Sequence, residues 1–282
     1  MPTLRRDGVN LAYDEAGSGA PPLLLVHGWT HDRGYLQPQL DYFSPRHRVV
    51  AVDLRGHGES DKPKQTYSIR SFADDLAWLI REVVLYRPVV VAHSMGGAIG
   101  LDLAGRYPDL TSAAVLLDPA IFIPASVQEA LAPTTAGLRS ADYRRVQQEL
   151  VATISFLPTD DPSRKAQIIE AMSSSPQHVM AGCWEAMLNY DAAPAAAACS
   201  VPILCILAAH PIADVAQFHA ACPQLITGQT VGAGHYHQLE VPEQINAMIA
   251  RFIATSVIVR CAKACHGERR THIVKAGEGK TT

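Results

Sequence analysis

The chain has 282 residues, of which 48% are hydrophobic and 18% charged, with a formal net charge of −3. That composition supplies a large buried core and excludes wholesale disorder, and the weak negative charge offers no electrostatic basis for binding nucleic acid. No run approaches the roughly 18 uncharged apolar residues of a membrane span, and Met1–Gly8 lacks the apolar stretch of a secretory leader. A cytoplasmic protein without a membrane partner is therefore expected.

Taken in order, Leu4 to Asp14 reads as a β-hairpin turning at Asp7-Gly8. Leu23-Leu24-Leu25-Val26 is a buried strand that ends at His27-Gly28-Trp29, and Arg48 to Leu54 is a second strand running into Arg55-Gly56-His57-Gly58. Phe72, Leu76, Leu79, Ile80 and Val83 then recur at helical spacing, opposite Asp74, Asp75 and Arg81. The next stretch, Pro88-Val89-Val90-Val91-Ala92-His93-Ser94-Met95-Gly96-Gly97-Ala98, organises the chain. A β-branched run fits a strand buried on both faces. The small residues after Ser94 allow a sharp turn and a closely packed helix. A serine at such a strand–turn–helix corner is a nucleophile elbow, with Ala92 in place of the first glycine of G-x-S-x-G.

Ala113 to Leu117 is a short buried strand stopping at Asp118-Pro119. The alternation of strands and helices predicts an α/β fold with a mostly parallel, doubly wound sheet. That rhythm lapses from Ala120 to Pro194, where only helix-like segments punctuated by prolines occur, and resumes with Val201 to Leu207 and Leu225 to Val231. A final amphipathic helix carries Ile245, Met248, Ile249, Phe252 and Ile253 on one stripe. The predicted organisation is a core in two parts (1–118 and 195–255), a helical insertion (119–194) and a basic tail (256–282). The tail holds six Lys and Arg against two Glu, together with Cys261, Cys265 and His266. No fourth ligand in tetrahedral spacing accompanies these, so a functionally silent tail is favoured over a metal clip. The six cysteines follow no disulfide framework, and Cys205 reads as a buried thiol.

The strand ending His27-Gly28-Trp29, the loop Asp53-Leu54-Arg55-Gly56-His57-Gly58-Glu59-Ser60, the elbow at Ser94 and Gly234-His235 before the last helix together resemble the α/β-hydrolase superfamily. The likeness covers roughly residues 1 to 255. It implies an α/β-hydrolase fold with a helical cap, a cofactor-free and metal-free mechanism, and a Ser–acid–His triad in that chain order. A serine hydroxyl needs a base titrating near neutrality, and the base needs a carboxylate to fix its tautomer. By resemblance Ser94 is the nucleophile and His235 the base, with His237 its nearest rival. The acid is Asp118, at the end of the sixth strand, favoured over Asp214, past the seventh. The oxyanion would meet the backbone N–H groups of Trp29 and Met95. Met180, Cys183, Trp184, Met187 and Leu188 share one helical face in the insertion, from which Trp184 and, across the site, Trp29 can wall a substrate pocket. Implied partners are small-molecule carboxylic esters or lactones. A β-diketone-type C–C hydrolase and a slow-turnover small-molecule receptor remain open beside that reading.

Overall fold

The computed structural model describes residues 2–257, so the basic tail with Cys261, Cys265 and His266 lies outside the described residues. Eight strands form one sheet: β1 (Thr3–Arg6), β2 (Val9–Ala16), β3 (Leu23–Val26), β4 (Val49–Val52), β5 (Val89–His93), β6 (Ala113–Leu117), β7 (Ile203–Leu207) and β8 (Leu225–Gln229), in the order β1-β2-β4-β3-β5-β6-β7-β8. The β1–β2 and β2–β4 pairs are antiparallel, and every other pairing is parallel. All the parallel strands but β8 are buried along their whole length. This explains why they read as continuous apolar runs rather than alternating ones.

The period of two sorts their side chains onto two cores. Leu24, Val26, Val50, Val52, Val90, Ala92, Ala114 and Leu116 pack on one face. Leu23, Leu25, Val49, Ala51, Val89, Val91, Val115 and Ile206 pack on the other. The second face is covered by α1 (Gln37–Phe43) and, through Ile245, Ile249 and Phe252, by the helix Pro242–Phe252. The first is covered by α2 (Ile69–Glu82) and α3 (Met95–Arg106). Every residue of α3 except Arg106 is buried. Burial of a Leu, Ile or Val side chain contributes about 1.5–3 kcal/mol, so this packing is what fixes the start of α3 beside β5.

In α2 the pattern holds with one correction. Asp75 does not lie on the solvent face; it is buried, with Arg55 donating to both carboxylate oxygens at 2.8 Å and Arg6 to one at 3.1 Å. A buried carboxylate requires such partners, and these tie the Arg55 loop and β1 to α2. Its N-terminus carries a capping box in which Ser68 and Ser71 exchange backbone bonds.

Between β6 and β7 stand α4 (Ala125–Leu138), α5 (Tyr143–Ile154), α6 (Pro162–Ser173), α7 (Gln177–Leu188) and α8 (Ala193–Ala198). After β7 come α9 (Val215–Ala221), α10 (His237–Glu240) and α11 (Pro242–Phe252). Segments 37–43, 215–221 and 237–240 are too short for helical periodicity to announce them in the sequence.

Candidate active site

The site is assembled where parallel strands end. Trp29 follows β3, Ser94 follows β5, Asp118 follows β6 and His235 follows β8, so four chain segments deliver side chains to the carboxyl edge of the sheet. Ser94 has φ 57° and ψ −119°. For a non-glycine residue that conformation costs on the order of 1–3 kcal/mol and persists only where the surroundings enforce it. Here the Ser94 amide donates to Leu117 O at 3.0 Å. Its carbonyl accepts from Gly97 N at 2.8 Å and Ala120 N at 3.1 Å. The corner is tight enough that a Cβ at position 96 would stand 2.4 Å from the His27 carbonyl oxygen, and one at position 28 would stand 3.0 Å from Ser94 Cβ. Small residues at both points are a packing requirement.

Asp118 also has a positive φ, 41°. Its backbone continues the sheet edge, donating to Ile206 O at 2.8 Å. Its side chain is buried; Oδ1 accepts from Ala208 N at 3.2 Å, and Oδ2 lies 2.6 Å from His235 Nδ1. With Nδ1–H donating to the carboxylate, the tautomer that leaves His235 Nε2 as an acceptor is fixed. Asp214 occupies a different place. It caps α9, accepting from Gln217 N at 2.9 Å, and lines a separate surface groove. His237 is buried 3.0 Å from Thr230 Oγ1 and is not among the residues around the Ser94 cavity.

Ser94, Asp118, His235, Trp29 and Trp184 line one cavity of about 240 Å³. Its other walls are largely apolar: Ile123, Val127, Leu131, Leu150, Val151, Met172 and Met187 come from the segment between β6 and β7, and His31, His210, Ile212 and Tyr236 from outside it. Trp29 and Trp184 pack with ring centroids 5.0 Å apart, their indole N–H groups donating to Met180 O and Thr135 Oγ1 at 2.9 and 3.1 Å. The α7 stripe divides: Trp184, Met187 and Leu188 reach the cavity, while Met180 and Cys183 are buried outside its lining. Met95 is wholly buried at the first position of α3, where helix amides have no partner within the helix.

A set of buried rings packs around His235, with His31 and Tyr236 among them lining the cavity. His93 Nε2 donates to His235 O at 2.9 Å, and its ring lies 4.6 Å from that of His235. His31 stacks on Tyr35 at 4.1 Å and lies 3.3 Å from Tyr236 OH through Nε2. Burial pushes the pKa values of His93 and His31 well below the ordinary histidine value, so both rings are neutral. His27 is likewise lowered by burial; its Nε2 accepts from Leu54 N at 3.0 Å and its Nδ1 donates to Gly28 O at 2.8 Å, ordering the turn after β3. Sequence already points to this ordering role for His27, which stands directly after the β3 strand, whereas the packing roles of His93 and His31 carry no signal in the sequence beyond their residue type. Among the described residues, no group of three or more His, Cys, Asp or Glu is placed to hold a metal ion.

The model for the α/β-hydrolase fold matches residues 21–242, most of the chain. The chain belongs to the α/β-hydrolase family. Among curated proteins it is 35% identical over 154 residues to a 2-(acetamidomethylene)succinate hydrolase of Mesorhizobium japonicum, covering 54% of this chain and 55% of that one. The chain thus spans about half the length of that relative. A 3-oxoadipate enol-lactonase of Acinetobacter baylyi is 26% identical, with 89% and 97% of the two chains covered. The solved enol-lactonase from Burkholderia xenovorans superposes with a TM-score of 0.81 at 24% identity, over 90% of this chain and all of that one, a likeness of fold. Among the described residues, no helix is long and apolar enough to cross a membrane.

Proposed function

We propose that this α/β hydrolase is a serine hydrolase cleaving carboxylic esters, lactones included, of small to medium neutral, apolar substrates through an acyl-enzyme. The observation that carries the reading is the 2.6 Å contact of His235 Nδ1 with buried Asp118 in a cavity that Ser94 also lines. In this reading Ser94 Oγ attacks the ester carbonyl carbon while His235 Nε2 takes its proton. Asp118 stabilises the imidazolium so formed. The tetrahedral oxyanion is met by the amides of Trp29 and Met95, each worth about 3–4 kcal/mol where such donors have been removed, and by the positive end of α3. Collapse breaks the C–O bond, and the alkoxide leaves with the His235 proton. Water, activated by the same imidazole, then releases the acid and restores Ser94.

Substrate class is argued from the wall. The lining residues include neither Lys nor Arg, so a substrate carboxylate would be desolvated there without a permanently charged cationic partner, which is costly. The names of the relatives denote substrates built on succinate and oxoadipate; this cavity is better suited to uncharged acyl and alcohol groups. The experiment is a turnover panel: p-nitrophenyl esters from acetate to octanoate, simple lactones, and a hemisuccinate ester. Steady turnover of neutral esters, with the hemisuccinate at least about tenfold poorer in kcat/KM, supports the proposal. Preference for the anionic ester contradicts the substrate class. A single burst followed by retained ligand would make the protein a receptor instead.

A further inference from the structure

The loop that carries His235 is fastened from two sides. From the core, His93 donates to the His235 carbonyl at 2.9 Å. From the insertion, the connection between α5 and α6 supplies the rest: Ser155 O accepts from His235 N at 2.9 Å, and Asp160 Oδ1 accepts from Gly234 N at 3.2 Å. The second oxygen of Asp160 is held by its own turn, accepting from Leu157 N at 2.7 Å. Asp160 is only 7% exposed, so its carboxylate sits out of water with both oxygens committed to backbone N–H groups. The fit is close. A Cβ at position 234 would stand 2.6 Å from Asp160 Oδ2 and 2.7 Å from Ser155 O. Phe156 adds an aromatic contact, its ring 5.1 Å from Tyr236.

We propose that Asp160 is a positioning residue: its buried carboxylate clamps the 232–236 loop to the insertion and thereby holds the His235 imidazole against Asp118. The segment that roofs the cavity and the segment that carries the base are then one hydrogen-bonded unit. An insertion lifted at Ser155–Asp160 releases His235, so the site is competent only with this part of the roof in place. The inference rests on the hydrolase reading for its effect on rate, but not for its effect on the geometry of His235.

The test uses Asp160→Asn, Asp160→Ala and, as control, Asp161→Ala. Asp161 caps α6, accepting from Ser163 N and Arg164 N, so its loss perturbs the same stretch without touching the His235 loop. With p-nitrophenyl butyrate, kcat of Asp160→Ala is expected to fall about ten- to a hundredfold with KM within about threefold, the signature of misplacement. Asp160→Asn keeps one acceptor and is expected to fall between Asp160→Ala and the parent; it carries the test if the alanine variant does not fold. Asp161→Ala is expected to keep its kcat. Independently of turnover, the ring Nδ1–H proton of His235 is followed by NMR in protein labelled with ¹⁵N-histidine and assigned by its loss in His235→Asn. It should shift or broaden in both Asp160 variants and stay unchanged in the control. An unchanged resonance in the Asp160 variants overturns the clamp, as does an equal loss of kcat in Asp161→Ala. If the parent protein hydrolyses no ester, the hydrolase reading falls and the resonance alone decides for or against the clamp.

Discussion

The two segments that meet over Ser94 are built in opposite ways. The elbow, β5 into α3, is buried on every side. Its strained serine is gripped by backbone bonds from β6 and the turn beyond it, and small residues stand where a Cβ would strike the neighbouring backbone. The first half of the insertion is thinly packed: of the 14 residues of α4 only Leu131 and Leu138 are buried, and of the 12 in α5 only Gln147 and Val151, whereas α7 buries six of its 12. Its inner faces look onto a cavity, not a filled core. Ser94 is therefore set in the densely packed part, while much of the cavity wall comes from the sparsely packed one.

The largest expected difference lies between the two candidate acids, Asp118 beside the elbow and Asp214 at the cap of α9. Asp118→Asn is expected to lower kcat about 10³–10⁴-fold by spoiling the tautomer of His235. Asp214→Asn, which keeps an N-cap residue on α9, should leave kcat within about twofold. Steady-state kinetics on a neutral ester decides, and the reverse ranking would relocate the acid. A smaller effect distinguishes packing. Gly96→Ala drives a Cβ against the His27 backbone carbonyl and should cost about 1–3 kcal/mol in urea unfolding. Gly137→Ala in α4 meets only the Val146 side chain, at 2.9 Å. Partial relief by that side chain, together with the better helix propensity of alanine, should hold its cost to within about 1 kcal/mol.

This contrast also explains what could be read from the sequence. The strands of the core were legible because burial on both faces leaves uninterrupted apolar runs, and the elbow because its steric demands restrict residues 94–100 to a narrow set. Ser94, Asp118 and His235 stood out as chemistry-bearing residues next to strand ends, and the fold brings them to one cavity. Asp118 could be preferred to Asp214 for directly ending its strand, but not secured, because only the path of the 230–236 loop distinguishes them. In the insertion the helices and the apolar stripe with Trp184 were legible, but not which of its side chains face the cavity. On α7 the same apolar stripe serves packing through Cys183 and the cavity through Trp184, and periodicity does not distinguish a side chain that meets another from one that meets a substrate. Asp75 shows the converse: a charged residue read as solvent-facing is buried because two arginines, distant in sequence, reach it.

Acid sharpens the comparison further. Burial holds His57 at about 3 and His237 at about 4, against an ordinary value of 6.5. Both are neutral in the folded core, whereas the unfolded chain takes up protons below 6.5. Stability contributed by keeping them neutral is therefore full above that pH and is lost as pH falls towards 4. Thermal melts should show a midpoint dropping between pH 6.5 and 4 in the parent, less steeply in His237→Gln. The smallest effect belongs to the insertion. Trp184→Phe, which loses the bond to Thr135 but keeps an aromatic wall, should raise KM about two- to fivefold with kcat nearly unchanged, as measured on the same ester.

The central claim is that Ser94 becomes covalently acylated with His235 as its base. Rapid-quench mass spectrometry after mixing with a p-nitrophenyl ester tests it directly. The account requires one acyl group on the peptide containing Ser94 in the parent protein, none in Ser94→Ala, and formation slowed by more than about a thousandfold in His235→Ala. Ester turnover that persists in Ser94→Ala, or an acyl group carried on another residue, would contradict it.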